Sequence, residues 1–399
     1  MKSLWLGLAA TLACAGQAGF AEDQDPRLLT ERARLEQREG QYADAVVLYK
    51  RALAIQESTL GPDHPKVART LSDLGNLYYR RAEYARAAPL LERALAIREQ
   101  AFVPNHPLVA KSLSDLGLLY MTVGDYERAA PLLRRALAIR ESVLGPEDLS
   151  VAAAYKNLAL LYRAQGDEHR ALMHFEGAAA IRDYHLAVKV NALGPNHPDV
   201  ARELANLGSL YGQMGEFERA ERLFKRAIEI NPQNAQFYFS LGAQYESLGQ
   251  TSKAIENYEA GLAIRSKQPL VKNNLAWLLV DVEDPSSESL DRALELARDA
   301  RAEMPANPNI ADTLGWVMFK RNEPDSAIEL FQTALEGHPE GSVQRAGVRY
   351  RLARAYQKKG ENVRAREEIE RALEESPGFL ERPDALDLLE QLSPASPAR

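Results

Sequence analysis

Seven histidines and one cysteine are the residues of this 399-residue chain best suited to metal or thiol chemistry. His64, His106 and His197 each precede a proline in a loop that recurs along the chain. First-row metals need ligands within about 2.0–2.3 Å of one ion, and loops so far apart in the sequence are not expected to converge. A residue before proline favours extended backbone, as a helix N-cap does. We therefore predict that these histidines cap helices and that the chain holds no metal and no cofactor.

Other residue patterns of common active sites are missing from the sequence. His169 and His174 are five residues apart, whereas a zinc-binding pair on a helix is four apart, and no His-Glu-x-x-His string occurs. There is neither a Gly-x-Ser-x-Gly string nor a glycine-rich phosphate loop. The single cysteine, Cys14, excludes an internal disulfide and a thiolate metal site. We predict that the protein is not an enzyme. A catalytic site around Trp277 and Trp316 is the remaining alternative, although no nucleophile–base pair is apparent there.

The composition indicates a globular protein that does not bind nucleic acid. Hydrophobic residues form 46% of the chain and charged residues 26%, which is typical of soluble domains. The net charge is −7, from 49 basic and 56 acidic residues that are mixed along the chain. A nucleic-acid-binding protein usually carries a basic block, and none is visible. We therefore expect no nucleic-acid partner.

Residues 1–21 have the pattern of a secretory signal. A basic residue precedes a short apolar stretch from Leu4 to Ala15, and small residues follow it. The stretch is shorter than the roughly 18 apolar residues that cross a bilayer. We expect cleavage after Ala21, with Ala18 as the alternative, and a mature protein that is periplasmic or secreted.

Cys14 gives a second interpretation of the same segment. Bacterial lipoprotein signals favour Leu-(Ala/Ser)-(Gly/Ala) before a lipidated cysteine, and here the triplet is Thr11-Leu12-Ala13. Thr11 stands where a branched apolar residue is expected. Under this alternative the protein is a lipoprotein, and only then do we expect it to associate with a membrane. A third alternative is an uncleaved, buried helix.

A short string built on leucine, a small residue and tyrosine recurs along the chain. Apolar residues around it fall at i, i+3, i+4 and i+7 on two successive segments, which predicts two amphipathic helices per unit. Small residues at fixed positions allow close approach of the helix axes. Copies of the string begin at Leu74, Leu116, Leu158, Leu207, Leu241, Leu275, Leu314 and Leu352.

This order of residues resembles the tetratricopeptide repeat, with its Leu-Gly-x-x-Tyr…Ala…Phe…Ala…Pro pattern. An opening unit with Gly40, Ala45 and Tyr49 brings the total to about nine units over residues 27–379. The resemblance implies an all-α fold, a right-handed superhelical solenoid of helix-turn-helix repeats. We expect a last capping helix from Arg382 to Leu392, which would be followed by a disordered tail, Ser393–Arg399.

Repeat length divides the chain further. Leu74, Leu116 and Leu158 are 42 residues apart, whereas Leu207 and Leu241 are 34 apart. The spacing of 49 residues before Leu207 predicts one helix lengthened by about two turns around residues 184–190. The predicted domains are the signal at 1–21, repeats of the 42-residue type at 22–200, repeats of 34–39 residues at 201–379, and the capping helix and tail at 380–399.

Two groups of relatives are suggested by these parts. The longer unit, with its Leu-Gly-Pro-Asp-His-Pro loop at 60–65, resembles the kinesin-light-chain type of repeat. The stretch from Asn273 to Trp316 resembles repeats in envelope proteins of bacterial polysaccharide export systems. The second resemblance implies a role in an assembly of the bacterial envelope.

The resemblance also implies where a partner would bind. In tetratricopeptide repeats the first helix of each unit lines the concave surface, and its second, fifth, sixth and ninth positions point inward. In the kinesin-light-chain family an asparagine at the sixth position contacts bound peptide; Asn157 and Asn206 match it, whereas Asp73 and Asp115 do not. Ser114 and Leu118 replace the residues of the chaperone-binding carboxylate clamp, which is thereby excluded. The candidate ligand-binding residues of the concave groove are Arg69, Asn76, Lys111, Lys156, Asn157, Arg202 and Asn206.

We predict a non-enzymatic interaction scaffold of the bacterial cell envelope that binds a peptide or a partner's helix in this groove. The alternative is a structural component of a polysaccharide-secretion or envelope assembly, lipid-anchored through Cys14.

Overall fold

A computed structural model describes residues 25–282, 284–376 and 378–392. Within these residues the chain is entirely helical, with nineteen helices and no strand. The predicted all-α class and the nine repeats are confirmed, because eighteen helices form nine antiparallel pairs of sequence neighbours. The last helix has no pair of its own and packs against the helix before it. The predicted signal peptide, Cys14 and the predicted tail lie outside the described residues.

The chain divides into two compact units. Unit 1 ends at Pro232 and unit 2 begins at Gln233. The boundary drawn near residue 200 by repeat length stays a prediction. Unit 1 contains α1 (Pro26–Arg38), α2 (Tyr42–Leu60), α3 (Pro65–Arg80), α4 (Tyr84–Ala101), α5 (Pro107–Thr122), α6 (Tyr126–Leu144), α7 (Leu149–Ala164), α8 (Glu168–Leu193), α9 (Pro198–Gln213) and α10 (Phe217–Ile230). Unit 2 contains α11 (Ala235–Ser247), α12 (Thr251–Ile264), α13 (Pro269–Val280), α14 (Ser287–Glu303), α15 (Pro308–Lys320), α16 (Pro324–Gly337), α17 (Val343–Lys358), α18 (Asn362–Glu375) and α19 (Arg382–Leu392).

The recurring histidines are helix caps, as predicted. The Nδ1 atom of each accepts a hydrogen bond at 3.1 Å from the backbone N–H two residues later, and a proline follows at the first helical position. Asp148 occupies the same loop position and caps α7 by accepting from the backbone N–H of Ser150 at 2.7 Å. Each cap fixes where the first helix of a pair begins, because it satisfies a donor that the helix leaves open.

Glycines at equivalent repeat positions end several of the second helices. Gly61, Gly145 and Gly194 end α2, α6 and α8 with φ values between +83° and +88°, a region that glycine enters without steric cost. The predicted lengthening around residues 184–190 is confirmed, since α8 has 26 residues, whereas α6 has 19.

Small residues at the crossing of each helix pair are necessary for the close packing. A Cβ atom added to Gly75 would lie 2.8 Å from Leu91, and one added to Gly117 would lie 2.8 Å from Leu133. The alanines that recur on the second helices, such as Ala129, are fully buried. The core of each pair therefore forms between these small residues and the large side chains opposite them.

The two helices of a pair have different neighbours. In unit 1 the first helices α3, α5 and α7 approach one another directly, and in unit 2 α13, α15 and α17 do the same. The second helices pack mainly against first helices. The first helices are thus the more closely spaced row in each unit, and we call their shared exposed side the inner face. Among the described residues no helix is both long and apolar enough to cross a membrane.

Candidate binding surface on the inner face

The inner face of unit 1 carries the polar positions selected from the repeat pattern. In its first part the polar side chains already bind one another. Asp73 of α3 pairs with Arg34 of α1, with Nη2 and Oδ2 2.6 Å apart. Asp115 of α5 accepts from Lys111 Nζ at 2.7 Å and from Asn76 Nδ2 at 3.2 Å. Asn76 and Lys111 are therefore engaged with a neighbouring carboxylate, and these contacts join α1, α3 and α5.

The next pair leaves its inner-face groups open. Lys156 and Asn157 of α7 are both half-buried, and neither makes a hydrogen bond or an ion pair to any described residue. Burial, and then the charge of Arg182, lower the pKa of Lys156. A cation that is removed from water and has no carboxylate neighbour is stabilised when an anionic or strongly polar ligand binds to it.

The remaining candidates lie at either end of this surface. Asn206 of α9 is half-buried and has no hydrogen-bond partner in the described part of the chain. Arg202 is exposed and pairs with Asp199 one turn earlier at 2.8 Å. Arg69 of α3 is exposed. Lys156, Asn157 and Asn206 are consequently the half-buried candidates whose polar groups the fold itself does not use.

A row of residues on the second helices, which the repeat pattern did not indicate, lies largely buried beneath the inner face. We call Gln56, Arg98, Arg140 and Arg182 the ladder residues; they end the recurring Ala-Ile-Gln/Arg strings and are 42 residues apart. Each of three members bonds to the residue four before the recurring leucine of the next first helix: Gln56 with Thr70, Arg98 with Ser112, and Arg182 with Glu203. The ladder residues therefore connect consecutive helix pairs.

Arg140 interrupts this row. The position that would receive its hydrogen bond is Ala154, which has no acceptor in its side chain. The Nη1 atom of Arg140 is buried and has no hydrogen-bond partner among the described residues. Burial lowers the pKa of Arg140, and Asp115 and Asp148 oppose this effect through their charge.

In unit 2 the tryptophans considered in the sequence analysis belong to an aromatic stack on the first helices. Trp277 and Trp316 have ring centroids 6.3 Å apart, and Phe319 stacks on Trp316 at 4.9 Å. A cavity of about 610 Å³ is lined by residues that include Phe319, Lys320, Arg354 and Lys358. The lining therefore combines aromatic and cationic side chains with one carboxylate, that of Asp284. No cluster of His, Cys, Asp and Glu side chains in the described residues could hold a metal ion.

Comparison with known proteins gives partial matches of moderate identity. The type IV pilus assembly protein PilF of Pseudomonas aeruginosa is 28% identical over 130 residues, which are 32% of this chain and 50% of PilF. The chain thus spans about half the length of this curated relative. The solved structure of BtubC (BKLC) from P. vanneervenii is 28% identical and covers 56% of this chain and 89% of its own, with a TM-score of 0.41. The kinesin light chain repeats of Podosopora anserina are 27% identical over 52% of this chain and 95% of their own, with a TM-score of 0.39.

Family models described as tetratricopeptide repeat match most of the chain. One model matches residues 24–100, 84–142, 108–184 and 176–233, which together exceed half of the 399 residues. Two further models of the same description match residues 223–256 and 318–392. With nine helix pairs, small residues at their crossings and these matches, the chain belongs to the tetratricopeptide repeat family.

Proposed function

We propose that this protein is a non-enzymatic scaffold of the bacterial cell envelope, which binds an extended peptide or a partner's helix on the inner face of unit 1. The observation that carries the proposal is the set of half-buried polar groups on α7 and α9 that the fold leaves without partners, namely Lys156, Asn157 and Asn206. Proteins of this family bind other proteins, which supports a partner of the same class.

The chemistry of these groups suits a polypeptide ligand. An asparagine amide donates and accepts hydrogen bonds at once, as a peptide backbone requires. Lysine adds a charge that recognises carboxylates. Asn157 and Asn206 occupy the same position of consecutive repeats, so a ligand that spans both would meet two amides in a fixed spacing.

An envelope location is supported by two independent features. The N-terminal segment has the pattern of a secretory signal, from which we propose export to the periplasm or the cell exterior. The relative of known role, PilF, is a type IV pilus assembly protein, and this supports a place in an envelope assembly.

The test is capture of a partner from envelope extract by the purified protein, with identification by mass spectrometry and reconstitution from purified components. A triple variant with alanine at Asn157, Arg202 and Asn206 is expected to lose the partner. The matched control has alanine at Arg134, Glu176 and Arg222, which are exposed on second helices. Equal capture by both triple variants, or no specific partner of the wild type, would refute the binding surface.

A second candidate function is a structural component of a polysaccharide-secretion or envelope assembly that is lipid-anchored through Cys14. The resemblance of residues 273–316 to envelope repeats favours it. This candidate predicts that the protein stays in the membrane fraction and that C14S releases it. The intact mass of the mature protein separates cleavage after Ala21 from lipidation.

A further inference from the structure

The ladder residues provide an internal comparison for Arg140. In the first and second pairs the fold supplies a hydroxyl group, from Thr70 and Ser112, to the ladder residue. The fourth ladder residue, Arg182, has a carboxylate instead. Only at Arg140, among the four, does the facing position hold an alanine. The guanidinium is nevertheless half-buried, and its Nη1 atom is closed off from solvent without an acceptor.

Such an arrangement costs stability in the unbound protein. A buried donor without an acceptor loses its hydrogen bonds to water and gains none in return, and for a charged group the loss is larger. The two acidic residues that act on Arg140 by charge are committed to other donors. Asp115 accepts from Lys111 and Asn76, and Asp148 caps α7.

The next ladder position shows which kind of group accepts hydrogen bonds from such an arginine in this fold. Glu203 is 1% exposed, and its two oxygens accept from Arg182 at 2.6 Å and from Lys189 at 2.8 Å. One carboxylate thus neutralises two cations at the boundary between consecutive pairs. The other two guanidinium nitrogens of Arg140 are not closed off from solvent and also lack a partner among the described residues. A carboxylate that approaches from outside would bond to them and neutralise Arg140 as Glu203 neutralises Arg182.

We propose that Arg140 and Asn157 form a carboxylate subsite for the bound partner, which takes either an acidic side chain or a C-terminal carboxylate. Asn157 lies one turn after Ala154 on the same side of α7. Its equivalent one repeat earlier, Asp115, acts by charge on Arg98, and we infer that the amide of Asn157 offers a second donor beside Arg140. Arginine binds a carboxylate through two parallel hydrogen bonds. The subsite rests on the proposed function, because it specifies the ligand of the same surface.

Peptide selection on the purified full chain tests this subsite. The probes are random dodecapeptides in two formats, one with a free C-terminus and one with both ends blocked. Each selected peptide is then synthesised with its acids as Asp or Glu, with each acid changed to Asn or Gln, and with an amidated C-terminus. Affinity is measured by fluorescence anisotropy for the wild type and for R140Q. Gln56 is the natural residue of the first ladder position, and R140Q is therefore expected to fold.

We expect one change, at a single acid or at the C-terminus, to weaken binding to the wild type at least tenfold and binding to R140Q less than twofold. The position of that change distinguishes a side-chain carboxylate from a terminal one. A154S restores the hydroxyl that Ser112 provides in the preceding pair, and it should also weaken binding of the acidic peptide. A138S adds the same hydroxyl at an exposed position of the second helix α6, away from the inner face, and should bind as the wild type does.

Four results would overturn the subsite. Selected peptides without a required acid, or an equal penalty in the wild type and R140Q, would refute it while leaving peptide binding intact. Unchanged affinity of A154S for the acidic peptide would also refute it. Failure of both formats to yield a binding peptide would count against the proposed function as well as the subsite.

Discussion

Arg351 and Asp312 form a two-pronged ion pair between α17 and α15, with Nε 2.9 Å from Oδ1 and Nη2 2.7 Å from Oδ2. Arg351 also bonds to Glu381, which precedes the capping helix α19. The side chains of Arg351 and Asp312 are 9% and 12% exposed. The pair therefore joins two repeats and the C-terminal cap of unit 2 in a largely water-free contact, where losing one partner is costly.

Asp312→Ala should destabilise unit 2 by about 3 kcal/mol, because it leaves a buried guanidinium with one carboxylate in place of two. Urea unfolding followed by tryptophan fluorescence measures this, since Trp277 and Trp316 both lie in unit 2. Glu370→Ala is the control; it breaks an exposed pair with Arg366 and should cost less than about 1 kcal/mol. Equal losses of unfolding free energy in the two variants would show that the buried pair stabilises the fold no more than the exposed pair does.

Two glycines inside helices should respond in opposite directions to alanine. In Gly242→Ala the new Cβ would lie 2.7 Å from the ring of Tyr258, which is buried and bonded to Glu246, so we expect a loss of about 1–3 kcal/mol. In Gly177→Ala the nearest side-chain atom is 3.6 Å away, and better helix propensity should add about 0.5–1 kcal/mol. Chemical unfolding followed by far-ultraviolet circular dichroism checks both. The same sign in both variants would contradict the packing described for the helix pairs.

The histidine caps make a prediction about side-chain chemistry. His197→Ala removes the acceptor for the backbone N–H of Asp199 and should cost about 1 kcal/mol of the free energy of unfolding. His197→Asp should retain most of the stability, because Asp148 already performs this task at the equivalent position of α7. A variant series in which aspartate is as damaging as alanine would mean that His197 acts through something other than the cap.

Asp148 should give the protein a specific dependence on pH. Hydrogen bonds from the hydroxyl and the backbone N–H of Ser150 lower the pKa of this carboxyl below its ordinary value of 3.8. A carboxyl whose folded pKa is depressed stabilises the fold above its unfolded pKa, and this contribution disappears as pH falls through the folded value. The difference in free energy of unfolding between the wild type and Asp148→Asn should therefore grow from about pH 2 to pH 5 and then stay constant. A difference that does not change over this range would contradict the assignment.

Much of the fold could be predicted from the sequence because its signals are local. The nine pairs, the lengthened α8, the histidine caps and the helix from Arg382 to Leu392 each follow from spacing or from a residue next to proline or glycine. The packing of Gly75 against Leu91 likewise follows from a small residue at a repeated position.

The candidate site was only partly visible in the sequence. The positions of Lys156, Asn157 and Asn206 follow from the repeat pattern, but it gives no sign that Asp115 already binds Asn76 and Lys111. Those contacts depend on side chains that reach across repeats. The ladder residues did carry a signal, the recurring Ile-Arg string, yet its meaning depends on which residue of the next pair faces each arginine. For Arg140 that residue is Ala154. It is identified by comparison with the contacts that Arg98 and Arg182 make in the structure.

The inner face is the central claim, and site-specific photo-crosslinking tests it most directly. A photoreactive amino acid is placed singly at Asn157, Asn206, Arg134 or Glu176, and each variant is irradiated with the partner identified by capture and reconstitution. Crosslinks from Asn157 and Asn206, and none from Arg134 and Glu176 on the second helices, are the predicted result. Crosslinks that form equally or preferentially at Arg134 and Glu176 would contradict the account.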